Sequence, residues 1–83
     1  MAIKDRNDVE IEPDDQIEWW SELFKMCRVG RVLSVTSKRN YHSIIVLEDL
    51  EDVIYPRKVV LSRPDKATIT VKGAYKPKKS VFV

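Results

Sequence analysis

From residue 29 onward, apolar and polar positions alternate with a period of two, the pattern of half-buried strands. Val29, Leu33 and Val35 fall on one face of a strand over 31–36, and Ser37-Lys38-Arg39-Asn40 supplies the turn chemistry after it. A second strand over 41–47 is β-branched and apolar enough (Ile44-Ile45-Val46-Leu47) to be buried on both faces. Val53-Ile54-Tyr55 leads into Pro56, which cannot donate to a central ladder, so the strand continuing through Lys58-Val59-Val60-Leu61 starts at an edge or bends there. Ser62-Arg63-Pro64-Asp65-Lys66 predicts a turn, and residues 67–71 alternate again. Gly73 marks a turn or bulge, Lys76-Pro77-Lys78-Lys79 a basic loop, and Val81-Phe82-Val83 a last short strand.

The N-terminal third follows a different pattern. Residues 1–12 are mostly polar and predict a loose, acidic arm. Residues 14–26 predict a helix. Pro13 suits a first helical position, and Asp14 and Asp15 complement the positive end of the helix dipole. Ile17, Trp20 and Phe24 recur at i, i+3 and i+7, widened by Leu23 and Cys27. A competing reading makes 15–19 a strand, with Ile17 and Trp19 on one face. The favoured architecture is mainly β with one N-terminal helix, followed by four or five short antiparallel strands in a small barrel or strongly bent sheet. Closure would hide the strand edges.

The chain has 83 residues, room for a single domain over 13–83 with the arm before it. At 43% hydrophobic it can bury one thin core. Cys27 is the only cysteine, which excludes an intramolecular disulfide and favours an intracellular setting. No apolar run approaches 18 residues, and the N-terminus lacks an apolar signal region, so a cytoplasmic protein with no membrane partner is expected.

Within residues 25–61, Lys25-Met26-Cys27-Arg28-Val29-Gly30-Arg31-Val32 resembles the opening of the KOW module, an SH3-like small barrel whose signature is a basic stretch, a glycine, one residue, then a valine opening a strand. Gly30-Arg31-Val32-Leu33 and the run from Asn40 through Ile44-Ile45-Val46-Leu47-Glu48-Asp49 are similar to the first motif of Sm-like barrels, which open with an N-terminal helix. Val71-Lys72-Gly73 is similar to the Arg-Gly of their second motif. The chain departs from both families: the second glycine usual in a KOW turn is missing, and there is little room for a complete Sm-like strand before Gly30. Either resemblance implies a small barrel with an RNA-, DNA- or protein-binding face.

Charge is sorted along the chain. Residues 1–24 carry eight acids against Lys4 and Arg6, a net of −6, whereas residues 53–83 carry eight bases against Asp65, a net of +7; the total is only +2. The basic half suits a polyanion. Lys76, Lys78 and Lys79 around one proline, with Tyr75 beside them, could track a phosphate backbone while the aromatic stacks on a base. Arg57, Lys58, Arg63, Lys38 and Arg39 extend that footprint if they share a face, and Tyr41 interleaves with the last two. A solubilising surface loop, and a Tyr41 packed on the barrel rim, are the plain alternatives.

The adjacent Trp19 and Trp20 suggest a second class of job. On a helix one would be left exposed among Glu18, Glu22 and Asp15, as a protein-binding hot spot. The competing function is therefore a small regulator or inhibitor, of the kind phages also encode, docked on a larger nucleic-acid machine. A third is self-association through open strand edges. Catalysis is disfavoured: one cysteine and one histidine (Cys27, His42) cannot complete a zinc site without carboxylates, and two glycines leave no phosphate-cradling loop. Cys27 is expected in the core. Glu48-Asp49-Leu50-Glu51-Asp52 lacks calcium-loop spacing and reads as a solvated turn. No cofactor or metal is expected, and the oligomeric state is left open.

Overall fold

The computed structural model describes residues 2–48 and 55–76. Five strands, β1 (Gln16–Ser21), β2 (Met26–Lys38), β3 (Tyr41–Glu48), β4 (Arg57–Leu61) and β5 (Thr68–Val71), form one antiparallel sheet of order β4-β3-β2-β1-β5. A single 3-10 turn, Pro64–Lys66, joins β4 to β5. This is a small antiparallel β-sheet compatible with a small barrel-like fold, and among the described residues it contains no α-helix.

The helix expected over 14–26 is therefore corrected: these residues form a turn, β1 and the start of β2. Pro13 is not a first helical residue but the second position of a tight turn. The Asp15 N–H donates to the Glu12 carbonyl at 3.3 Å, and Asp14 takes the left-handed φ of 75° that the third position of such a turn requires. Beyond it the period-two pattern prevails. Ile17, Trp19 and Ser21 are buried, while Glu18 and Trp20 face out. Pairing with β2, from Gln16↔Arg31 to Ser21↔Met26, satisfies the backbone that a helix would have satisfied internally. The apparent helical stripe dissolves: Ile17 is core, but Trp20 and Phe24 are exposed. Cys27, expected in the core, is exposed opposite Trp20.

Strand β2 is long enough to serve both halves of the sheet, pairing with β1 through its first half and with β3 from Gly30 to Lys38. The register shifts between Val32 and Ser34, and this reverses the face that β2 presents. Arg28, Gly30 and Val32 point inward before the shift and Val35 packs on the core after it, so Val29, Leu33 and Val35 do not share the face that simple parity predicts. Gly30 has a steric role. A Cβ there would stand 2.5 Å from Val46 Cγ1 and 2.6 Å from the Leu47 carbonyl oxygen. Among the described strands β4 lies at the sheet edge, one of the two outcomes Pro56 allowed.

Ile17, Trp19, Val32, Ile44, Val46 and Ala67 form the core together with Ile3 and Ile11 from the N-terminal segment. The segment expected as a loose arm thus contributes two core side chains. Asp5 anchors it: one carboxylate oxygen accepts the Asn7 and Val9 N–H groups and the other the Ile69 N–H of β5, all at 2.9 Å. Asp15, fully buried, plays the same role at the other side. It accepts from the Glu12 N–H (2.9 Å), the Gly73 N–H (2.7 Å) and the Lys72 ammonium (2.7 Å). Gly73 lies at a φ of 64°, as its reading as a turn implied. The segments 49–52, 53–54 and 81–83 and the lysines at 78 and 79 lie outside the described residues.

Burial alone would raise the carboxyl pKa of Asp15, but the hydrogen bonds from Lys72, Glu12 and Gly73 outweigh it and hold the group below its ordinary value. Burial acts the same way on Asp5, and its three backbone hydrogen bonds again win. For Lys72, burial would lower the ammonium pKa, and the bonds to Asp15 and Glu12 raise it instead. Both carboxyls therefore bind protons more weakly in the folded chain than in the unfolded one. Their contribution is fully present above the ordinary carboxylate range and disappears as the pH falls through it; that of Lys72 disappears only as the pH rises through its raised value. Urea midpoints should accordingly be steady near neutrality and drop below about pH 4. Asp15→Asn should flatten the acid drop and cost about 1–3 kcal/mol at neutral pH; an unchanged acid limb would contradict this assignment. Gly30→Ala should cost about 1–3 kcal/mol by overpacking, read from the same urea curves.

Candidate functional site

Curvature of the sheet brings β1 and β4, which do not pair, to face one another across a groove. One wall is the edge of β4 from Arg57 through Val60 and Leu61 to Ser62 and Arg63; the other is Trp20 with Glu22 and Leu23; Trp19 lies beneath. The main cleft, about 490 Å³, is closed at one end by Lys66 and Ala67. A hollow of about 260 Å³ continues it toward Arg57 and Glu48, and another of about 230 Å³, sharing Ser62 and Arg63, continues it toward His42 and Lys4. The alternation of β1 decides the roles of the tryptophans. Trp19 is 7% exposed and belongs to the core, whereas Trp20 is 55% exposed and belongs to the groove. Leu23, Phe24 and Met26, on and beside the β1–β2 turn, are also exposed.

At the Arg57 end, Glu48 is buried and accepts from Arg28 at 3.2 Å and from Arg57 at 3.1 Å. The Phe24 ring lies 4.5 Å from the Arg28 guanidinium and 4.9 Å from that of Arg57, so one aromatic ring contacts both cations. Arg57 is thus held in a fixed orientation with some of its guanidinium in solvent. At the other end, Lys38 stands opposite Tyr41 and Ser37 opposite His42 across the β2–β3 turn. Continuing the β3–β4 register past Ile44↔Leu61 brings Arg63 beside His42, and the two border one hollow. His42 Nδ1 lies 3.3 Å from the Ser37 hydroxyl.

The sequence-predicted basic set is therefore divided. Lys38, Arg39, Tyr41 and Arg63 gather at one end of the sheet, and Lys66 and Lys4 join them. Tyr75, Arg31 and Lys58 belong to the other end: Arg31 is opposite Leu47, Leu47 is opposite Lys58, and Leu47 is about 17 Å along β3 from His42. Tyr75 is engaged inside the fold. Its N–H donates to the Asp14 carbonyl (3.0 Å), its hydroxyl accepts from Gln16 Nε2 (3.2 Å), and its ring lies 5.4 Å from the Arg31 guanidinium. Lys76 is exposed, its N–H bonded to the Gly73 carbonyl.

Two cations of the basic half are paired internally, Lys72 with Glu12 and Asp15 and Arg57 with Glu48; Arg31, earlier in the chain, pairs with Asp14. Arg63 meets Asp65 at 3.8 Å and Glu22 meets Lys25 at 3.2 Å, both in solvent, where such pairs contribute little. Among the described residues Lys38, Arg39, Lys58, Lys66 and Lys76 carry no ion pair. Glu18 faces out from β1 opposite Val29 and does not line the groove. Lys66 and the Trp20 groove were missed by sequence reasoning. The signal was present in the Ile17-Trp19-Ser21 alternation and in the Pro-Asp turn before it.

No three His, Cys, Asp or Glu side chains gather as a metal site among the described residues, and no helix there is long and apolar enough to cross a membrane. In comparisons with protein-family models, curated proteins and solved structures, no match to this chain was found.

The division of the tryptophans has a spectroscopic consequence. In Trp20→Phe the remaining emission, from buried Trp19, should be blue-shifted and poorly quenched by acrylamide, whereas the parent should show one readily quenched component. Equal quenching of both indoles would contradict the β1 register.

Proposed function

We propose that this chain is a non-catalytic nucleic-acid-binding module built on a small barrel of the SH3-like type, with the polyanion running along the β4 groove and across the Lys38–Arg63 end of the sheet. The observation that carries the reading is that Lys38, Arg39 and Tyr41, at the β2–β3 turn, share one end of the sheet with His42 and Arg63, which border one hollow, while Arg63 and Lys66 line the groove walled by exposed Trp20. Cations that position a phosphate backbone, next to aromatic faces, are the two requirements of sequence-tolerant nucleic-acid binding. The SH3-like type is favoured over the Sm-like one because residues 14–26 form no helix.

Of the basic loop that first suggested a footprint, Lys76 is exposed and carries no ion pair, and the lysines at 78 and 79 lie outside the described residues. Lys72 is consumed by Asp15 and Glu12, and Tyr75 by Gln16 and Arg31. The competing regulator reading also uses Trp20, and the exposed Leu23, Phe24 and Met26 beside it favour a protein contact. The two readings separate on charge: a docked protein held by apolar contact would not need the cations at the far end.

Anisotropy titrations of single-stranded RNA, single-stranded DNA and duplex DNA at low and moderate salt test the proposal. Salt-sensitive binding is expected. Reversing Lys38, Arg39, Arg63 and Lys66 to glutamate should weaken it by more than about tenfold and flatten the log–log salt slope by about 3. Lys76→Glu should change it far less. Absence of binding to every polymer at low salt would overturn the proposal and favour the protein partner.

A further inference from the structure

We infer that Trp20 is a stacking platform for an unpaired base, making the β4 groove selective for single-stranded over duplex nucleic acid; this rests on the nucleic-acid reading above and names its ligand. Trp20 leaves half its surface in solvent although Trp19, its neighbour in the chain, is fully used by the core. An indole kept exposed at the wall of a cleft of about 490 Å³ has room for a base and its sugar, since that volume falls in the range of small-molecule sites. The opposite wall presents Val60 and Leu61, apolar surface suited to the second face or edge of an inserted ring.

Charge selects this occupant over a peptide. Arg63 and Lys66 line the cleft, and Arg57 stands at the far end of the groove, held by Glu48 and Phe24. Opposing them are Glu22, paired in solvent with Lys25, and Asp65, 3.8 Å from Arg63; with Lys25 counted, the cations outnumber these two carboxylates. A strand whose base enters between Trp20 and Leu61 thus finds cations for its phosphates on either side. In a duplex the base faces are covered by their neighbours, so the indole has nothing to stack on and only the cations act.

The test compares five measurements by anisotropy and tryptophan quenching: the parent protein with an oligothymidylate, with an abasic strand of the same length and with a duplex, and Trp20→Ala with the oligothymidylate and with the duplex. The inference predicts that removing either the bases or the indole weakens single-strand binding by about tenfold. The salt slope should stay unchanged, and duplex binding should be equal in parent and Trp20→Ala. The oligothymidylate should also quench the accessible emission. Salt-sensitive binding that is equal for the abasic and intact strands and insensitive to Trp20→Ala would overturn the stacking role and leave the phosphate contacts standing. Absence of all binding at low salt would overturn both readings. The abasic comparison needs no variant, so it decides even if the substitution disturbs the fold.

Discussion

Everything in this fold leans on a carboxylate buried at the entrance to the first strand. Asp15 closes the Glu12–Asp15 turn through the Glu12 N–H and binds the chain after β5 through Lys72 and Gly73. Its backbone carbonyl accepts from the Val32 N–H at 2.9 Å. One residue thus joins the N-terminal segment, β1, the middle of β2 and the C-terminal turn. A lone buried carboxylate would be costly, and here every contact that compensates it also ties separate stretches of the chain together. Asp5 repeats the device between the N-terminal turn and β5.

These anchors account for some of the polarity of the sequence. The acidic first third and the basic last third meet in internal ion pairs, with Lys72 bound to Glu12 and Asp15 across the fold. Among the described residues Lys58 and Lys76 also carry no ion pair, and Lys38, Arg39 and Lys66 form the unpaired set at the opposite end of the sheet. The groove has a separate origin. Because β2 is long and shifts register between Val32 and Ser34, the sheet bends enough for β1 to face the edge of β4 that no described strand pairs. Gly30 permits the close approach at that bend, and the Arg28–Glu48–Arg57 cluster under Phe24 fixes one end of the trough.

The described strands after Gly30 were legible from period-two alternation or, in β3, from a β-branched apolar run between turn residues, and Pro56 marked an edge or a bend. The helix was misread because Pro13-Asp14-Asp15 has the same residue types as a helix start. Only the left-handed φ of Asp14 and the burial of Asp15, both consequences of tertiary contacts with β2 and Gly73, distinguish a turn from a cap. Phase within β2 was lost for another reason: a bulge leaves no residue-type signature in Val32-Leu33-Ser34. Of the candidate site, Lys38, Arg39, Tyr41 and Arg63 share one end of the sheet, but charge density could not tell Lys72 and Tyr75, engaged in the fold, from Lys66, which is not.

Amide chemical-shift mapping of the labelled protein with a short single-stranded oligonucleotide tests most directly whether this groove is the working surface. Perturbations confined to the β2–β3 turn, the β4 edge through Lys66 and the Trp20 indole are the predicted result. A pattern centred on residues 72–76 and the Arg31–Lys58 face, with the groove silent, would contradict it.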